Sequence, residues 1–374
     1  MPENENFIIE IEGTEIDDLY PDLNHVEIEL DEELAGLFRI QFATGQSGEG
    51  LWWHLDDDRL QIWKEVAIRA GFGDGMEEVI SGVITHVKPV FETDAAQSTL
   101  EIWGMDRSVL MDREEKLKDW PNKTDSDIAT EIFGNYGLTP EVEATDIVHD
   151  EAVSTVIQRE TDIQFLKRLA LRNGFECYVE GTTGYFRPPQ IDAAPQPLLA
   201  LHFGAESNVT QFSLDVNGLN PANIEMLQVD RSNKEILEAV AASSRQTALG
   251  QADAESLLGS GMPPGRFFIG KNATTGNPEM SALCQGLYHE AAWFVTGEGT
   301  IAGGQYGHLL KPRGTVTIKG IGETHSGIYY VTQVTHRMTA EGLTQSFKVK
   351  RNGIMPTGTE DFSGESSGLS GGLL

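Results

Sequence analysis

The segment VITHVKP, residues 83–89, is followed by LEIWG at 100–104. Near the other end of the chain YVTQVTH, 330–336, is followed at the same spacing by FKVKR, 347–351. One offset superimposes Val83 on Tyr330, Ile84 on Val331, Thr85 on Thr332, Val87 on Val334, Leu100 on Phe347 and Ile102 on Val349. Both segments alternate apolar and polar residues, the period of a half-buried strand. Upstream, EVAIRAG (65–71) matches TVTIKGI (315–321) after a three-residue shift that falls in the intervening loop, FGDGMEE against GETH, where length changes cost little. Three strands in the same order therefore occur twice, which predicts two similar antiparallel β-barrels in one chain. His86 and His336 lie near strand ends of the two units but do not align, so a shared acid-base or metal role is not expected.

Between and around the repeats the pattern changes. FIIEIEG (7–13), NHVEIEL (24–30), GLFRIQF (36–42) and RLQIWKEVAIRAGF (59–72) read as strands separated by turn-rich segments, so residues 1–115 form the first barrel. Helical spacing then appears in TDSDIATEIFGNYG (124–137), with Thr124 and Asp127 placed as a cap. It recurs in ETDIQFLKRLALRNGF (160–175), where Thr161 and Gln164 match a capping box and Asn173-Gly174 supplies the stop. FECYVEG and TGYFRPP follow as a hairpin. Residues 116–197 thus form an α/β domain ending in the Pro-rich connector RPPQIDAAPQP (187–197). The second barrel spans 198–353. It carries a helical insertion at about 233–292, with one helix over the polar, Ala-rich stretch 233–258 and another at 277–293 capped by Asn277 with Pro278 in its first turn. A Gly/Ser-rich tail occupies 354–374. The fold class is α+β, mainly β.

The 374 residues carry 58 acidic against 27 basic side chains, a formal charge of -31. A surface of that sign repels nucleic acid and anionic membrane. It suits a basic partner protein, a soluble component of a large assembly, or the wall of a passage along which a polyanion slides, and composition does not choose among these. No apolar run approaches the roughly 20 residues a membrane helix needs, so no membrane anchor is expected. The start MPENENFIIEIEG has neither the basic residues nor the apolar core of an export signal. The two cysteines, Cys177 and Cys284, lie in apolar segments and read as reduced core residues.

Chemistry is thinly represented. HLDDDRL (54–60) places three acids side by side, without the alternating ligands and turn glycine of a calcium loop. His289-Glu290 opens like a zinc-protease helix, but Trp293 stands where the second histidine belongs. GFGDG (71–75) lacks the spacing of a phosphate-binding loop, and SGESSG in the tail is a linker. No catalytic residue, metal site or cofactor is expected.

One region is more specific. WGMDRSVLMDREEKLKDWPNKTDSDIATEIFGNYGL (103–138), with VIQRETDIQFLKRLALRNGFECYVEGTTGYFRPP (156–189), resembles the phage late control D protein family. Gln158, Asp162, Phe165, Leu166, Leu169, Ala170, Gly174 and Phe175 match its recurrent pattern. That family includes baseplate hubs of contractile phage tails and is related to the N-terminal hub part of VgrG spike proteins and to hubs of extracellular contractile injection systems. The resemblance implies two tube-type β-barrels with α/β domains outside, three chains closing into a pseudo-sixfold ring, and a structural role adapting a sixfold tail tube to a threefold spike.

It implies as partners a central spike protein, a tail tube or tube-initiator protein, baseplate wedge proteins, and DNA or protein cargo that passes without tight binding. The location implied is the baseplate of a virion tail or an injection system, assembled in the bacterial cytoplasm. Many relatives continue into a needle, whereas this sequence runs into the Gly/Ser tail, so the resemblance implies that the spike is a separate protein or that the tail docks onto it. Trp52, Trp53, Gly358 and Phe362 are candidate contact residues, and Glu10, Glu12, Glu27, Glu29 and Glu101 are candidates for an acidic face or channel wall. The alternatives are a carbohydrate-binding or adhesion component of a tail, which LWWHL (51–55) would serve, and a baseplate muralytic enzyme, for which no compact catalytic segment is evident.

Overall fold

The computed structural model describes all residues except 1–4, 74, 153–154, 220–221, 231–232, 259–261, 271–273 and 364–374. The first half comprises β1 (Glu5–Ile11), β2 (Thr14–Glu15), β3 (Leu23–Asp31), β4 (Leu37–Ala43), β5 (Glu65–Phe72), β6 (Gly75–Val90) and β7 (Thr99–Asp106). An α/β insert follows, with β8 (Lys118–Trp120), α1 (Asp125–Asn135), β9 (Thr139–Val142), β10 (Val156–Gln158), α2 (Asp162–Asn173), β11 (Glu176–Glu180) and β12 (Thr183–Arg187). The second half opens with β13 (Gln196–Ala200) and β14 (Val209–Val216). It carries a second insertion of β15 (Ala222–Val229), β16 (Ile236–Ala241), α3 (Ala254–Leu258), β17 (Gly265–Ile269) and α4 (Asn277–Ala291). It ends with β18 (Val295–Ala302), α5 (Gly303–Tyr306), β19 (Thr315–Lys319), β20 (Gly327–Thr339) and β21 (Gly342–Arg351).

The two expected barrels do not close. Hydrogen bonding instead runs through both halves as one sheet, in the order β14-β18-β21-β20-β3-β4-β7-β6-β5-β1-β2, with β13 and β19 branching from β20. The join is β3 against β20: Leu30 faces Val334, Ile28 faces His336 and Val26 faces Met338. The sheet wraps two cores. Ile9, Val26, Ile28, Phe38, Ile40, Phe42, Ile68 and Ile102 fill the first, and Met338 and Leu343 of the second half reach into it. Leu199, Val295, Ile301, Val316, Ile318, Val334, Phe347 and Val349 fill the second. Each fully buried Ile or Phe contributes roughly 1.5–3 kcal/mol relative to exposure.

The repeat holds at the level of register, over more strands than the sequence match covered. Glu65 faces Val83 and Ile68 faces Ile80, as Thr315 faces Tyr330 and Ile318 faces Gly327. The β6–β7 ladder skips Thr85 and the β20–β21 ladder skips Thr332, the same position of the unit. Beyond β7 the pairs continue. Phe42 faces Leu23 and Ile301 faces Val209, after which one ladder skips Asn24 and the other skips Thr210. Thus β3, β4, β5, β6 and β7 correspond to β14, β18, β19, β20 and β21. The opening strands of the two halves break the pattern, since β1 pairs β5 antiparallel and β13 pairs β19 parallel.

One part of the match needs correction. Val87 faces Ile102 and Val334 faces Phe347, so Ile102, not Leu100, corresponds to Phe347. The second hairpin turns directly from Thr339 to Gly342, while the first makes a wider loop from Val90 to Thr99. The resulting two-residue slip preserves which face each side chain takes, which is why the alternation is the same under either alignment.

The helices match the periodicity in part. Thr124 and Asp127 form a reciprocal capping box on α1. The box expected at α2 is absent: the Thr161 hydroxyl donates to Asp112 at 2.6 Å, and Gln164 donates to the same carboxylate at 2.9 Å. Gly174 ends α2 with φ +66. α4 is capped by Gly276 rather than Asn277, with Pro278 in its first turn. The helix expected over 233–258 is not formed. That stretch gives β16 and, at its end, the short α3. Ala239 and Ala241 are buried in the core that Met280, Leu283, Cys284 and Tyr288 of α4 complete. An Ala-rich composition favours helix, but an open edge on β15 and an apolar helix face above it favour a strand there. Cys177 and Cys284 are both buried and unpaired.

Candidate functional site

One face of the joined sheet is polar from β14 to β6. Glu27 lies opposite Arg39 on one side and Arg337 on the other, and reaches the Arg337 guanidinium at 3.5 Å. Glu29 accepts a hydrogen bond from the Gln333 side chain. Farther along, Glu298 faces Lys348. Glu101 is the most enclosed of these acids, with a side chain 8% exposed; Arg39 donates to it at 2.9 Å, Gln41 at 3.2 Å, and Lys88 and Trp103 each at 3.3 Å. Burial alone would raise its pKa, but Arg39, Lys88 and Trp103 outweigh it and hold the carboxyl at about 2. Arg39 also lies over the Trp103 ring, 5.1 Å from its centre.

The five acids named from the sequence thus divide. Glu27, Glu29 and Glu101 share this face, interleaved with Arg39, Lys88 and Arg337 in opposed rungs. Glu10 lies on β1, away from the joined strands, 3.7 Å from Arg69. Glu12 follows the end of β1 with φ +50, and its carboxylate accepts the Glu65 backbone N–H at 2.8 Å. That contact ties a turn.

The contact candidates are also separated. Trp52 packs edge-on against Phe91, ring centres 4.8 Å apart, beside the end of β6. Trp53 is 53% exposed. Gly358 adopts φ +92 and donates to Glu360 at 2.8 Å, and the Phe362 carbonyl accepts from Lys319 at 3.2 Å. The stretch 357–363 therefore lies along the second half beside the Pro-rich connector, sharing a cleft with Ile191–Leu198. The remainder of the tail, 364–374, lies outside the described residues.

Sequence reading did not name the ionic cluster that joins the two inserts to each other. Arg172 of α2 donates to Asp125 of α1 and, at 2.5 Å, to Glu279 of α4, while buried His149 meets Asp125 at 2.9 Å. The Gln158 and Asp162 pair of the motif is structural too. Gln158 donates to Asp162 at 2.7 Å and accepts from Trp120 at 3.2 Å, and Tyr136 donates to Asp162 at 2.8 Å. Among the described residues no three His, Cys, Asp or Glu side chains group to hold a metal ion, and no helix is long and apolar enough to cross a membrane.

A wrapped two-unit sheet with α/β inserts is the fold of phage tail proteins. The 43 kDa tail protein of prophage MuSo2 from Shewanella oneidensis matches over 93% of this chain and 98% of its own, at 14% identity and a TM-score of 0.65. A tail protein from Neisseria meningitidis MC58 matches over 94% and 98%, at 14% identity and a TM-score of 0.68. The E. coli c3393 protein, a component of the type VI secretion system described as structurally similar to the T4 tail proteins gp27 and gp5, matches over 92% of this chain and 76% of its own, at 13% identity and a TM-score of 0.53. In sequence, the model of the Alg8 N-terminal domain matches residues 3–340, and the chain belongs to that family. No curated protein matches it.

Proposed function

We propose that the chain is a structural baseplate hub, three copies of which form a ring between a sixfold tail tube and a threefold spike. The observation that carries this reading is the recurrence of five strands with the same registers and the same two skipped residues. A chain that holds two copies of one building unit presents six units when three chains close. Such a ring has true threefold and approximate sixfold symmetry, the property an adaptor between the two symmetries requires. The internal join of β3 to β20 supplies the contact between neighbouring units within a chain.

On this reading the polar face lines the passage. Glu27, Glu101 and Glu298 are met by opposed bases while Glu29 meets the neutral Gln333, so the wall offers no continuous basic track to retain a polyanion and only a partly neutralised acidic one to a basic protein. The partners are the spike, the tube or its initiator, the wedge proteins of the baseplate, and cargo in transit. The segment 357–363 is the part of the chain we assign to contact with the spike. The role is mechanical, and the location is the baseplate of a phage tail or of an injection system derived from one.

Native mass measurement of the purified chain, alone and mixed with the candidate spike protein, tests this. Three copies alone, or three with three spike chains, is the expected result. A chain that stays monomeric at every concentration, with and without spike, would remove the adaptor role.

A further inference from the structure

The join between the two halves has two counterparts that no described residue of the chain fills. Among the described residues β14, which corresponds to β3, pairs with β18 alone. β6 corresponds to β20, and past Ile84 it pairs, among the described residues, with β7 alone. We infer that these two edges pair with each other between neighbouring copies of the chain, antiparallel, in the register that β3 and β20 use within one copy. This rests on the hub reading for the number of copies, while the register stands on the internal join.

The transfer is residue by residue. Leu30 with Val334 becomes Val216 with Val87. Glu29 with Thr335 becomes Asp215 with Lys88, an acid against a base. Val26 with Met338 becomes Phe212 with Phe91. The side chains fit an interface that is missing its other half. Met338 is 1% exposed at the internal join, whereas Phe91 is 54% exposed and Val216 44%. Burying both supplies the apolar centre of a contact, with Lys88 and Asp215 fixing the register beside it. Gln333, which bonds Glu29 across the internal join, is replaced by His86, which takes the same diagonal to Asp215.

Pro89 stands at one rung of this edge. It pairs Leu100 of β7, a position where the missing N–H faces away from β7 and toward the free side. Val87 and Phe91 remain as donors. The edge therefore accepts a partner matched in side chains and discourages indiscriminate strand addition. Because the two edges differ, the contact is head-to-tail and propagates from copy to copy until it closes.

The internal join also selects the pair to test. Glu32 N–H donates to the Thr332 carbonyl at 2.8 Å, so alternate rungs make Glu29 with Thr335 a non-hydrogen-bonded pair. Cα atoms in such pairs lie about 4.5 Å apart, within disulfide reach. Both native cysteines are buried, so they do not compete.

The experiment is a Lys88→Cys/Asp215→Cys double variant, oxidised and run on non-reducing gels, with native mass of the unmodified chain measured alongside. Each single variant and an off-register Lys88→Cys/Gln211→Cys pair serve as comparisons. The expected result is a reducible ladder ending at a closed trimer for the in-register pair, and uncrosslinked chain for the others. If the unmodified chain is trimeric but the in-register pair does not crosslink, or crosslinks no better than the off-register pair, the edge pairing is wrong and the hub reading survives. If the unmodified chain is monomeric throughout, both fail.

Discussion

Trp63 and Arg313 occupy the same place in the two halves. Both have left-handed backbones, φ +70 and +61. Trp63 donates its backbone N–H to Ile84 at 2.7 Å, and Arg313 donates its own to Val331 at 2.9 Å, the same strand position in each unit. Their side chains have diverged with their settings. The Arg313 guanidinium donates to the Asp31 carbonyl at the internal join and lies over Tyr178, 3.9 Å from the ring centre. Trp63 is 45% exposed with Arg113 over its ring. The backbone solution is shared, while the side chain follows whether the adjoining edge is filled within the chain.

That divergence makes Met338 and Phe91 an instructive pair. Met338→Ala removes a buried side chain from the first core and should cost about 2–5 kcal/mol in urea unfolding. Phe91→Ala should change the stability of the unassembled chain by less than about 1 kcal/mol, because the ring is half exposed and, among the described residues, Trp52 is its one aromatic neighbour. It should instead lower the assembled fraction in native mass spectra. Equal unfolding losses for the two variants would contradict the difference in their settings.

Arg172 is the buried cation that joins α1, α2 and α4. Arg172→Met leaves Asp125 and Glu279 without their compensating charge, and removing one member of a buried ionic cluster costs about 3–5 kcal/mol. Guanidinium unfolding of the variant measures it. A loss below about 1 kcal/mol would mean that the cluster is not holding the two inserts together.

His336 lies in the core opposite Ile28 at the join, with neither ring nitrogen hydrogen-bonded among the described residues. Burial, aided by the positive charge of Lys311, depresses its pKa from 6.5 to about 4. The folded state resists protonation that the unfolded chain accepts. Stability from this group is therefore complete above pH 6.5 and is lost as pH falls toward 4, by about 1.4 kcal/mol for each pH unit crossed between those two values. His289, depressed to about 4 by burial and by Arg245, acts in the same direction. His336→Leu should flatten part of this acid limb in a pH series of unfolding midpoints. An unchanged slope would assign the limb to other groups.

Gly286 sets the approach of α4 to α2. A Cβ built there lies 2.2 Å from the Leu171 carbonyl oxygen, a backbone atom that cannot move aside cheaply. Gly286→Ala should cost about 1–3 kcal/mol, read as a lowered Tm. A neutral result would mean that the helices separate without loss.

Much of the architecture is legible in the sequence because strand faces and helix caps are local. Alternation in NHVEIEL places Val26 and Ile28 in the core and Glu27 and Glu29 on the polar face, as found. Thr124 and Asp127 cap α1 from residues three apart. The match of VITHVKP to YVTQVTH carries through to the skipped residues Thr85 and Thr332. The other two repeated strands are not legible, because their packing is conserved by compensation. Ile40 faces Ile102 in one half where Gly299 faces Phe347 in the other, and Phe38 faces Gly104 where Gly297 faces Val349. In the second half both β18 positions are glycine and the bulk is carried by Phe347 and Val349 of β21, a redistribution that a residue-by-residue comparison does not register.

The sequence by itself determined which residues alternate, where α1 and α2 run, and that one strand unit occurs twice. The tertiary structure decided the rest: that the halves share one sheet through β3 and β20, that 233–258 gives a strand under α4, and that Glu101 is held by Arg39, Lys88 and Trp103 while Glu12 ties a turn. The division has a physical cause. Face and cap are fixed by neighbours within a few residues, whereas a strand edge pairs with whichever distant strand matches it. Leu30 and Val334 meet only because the folded chain brings them together.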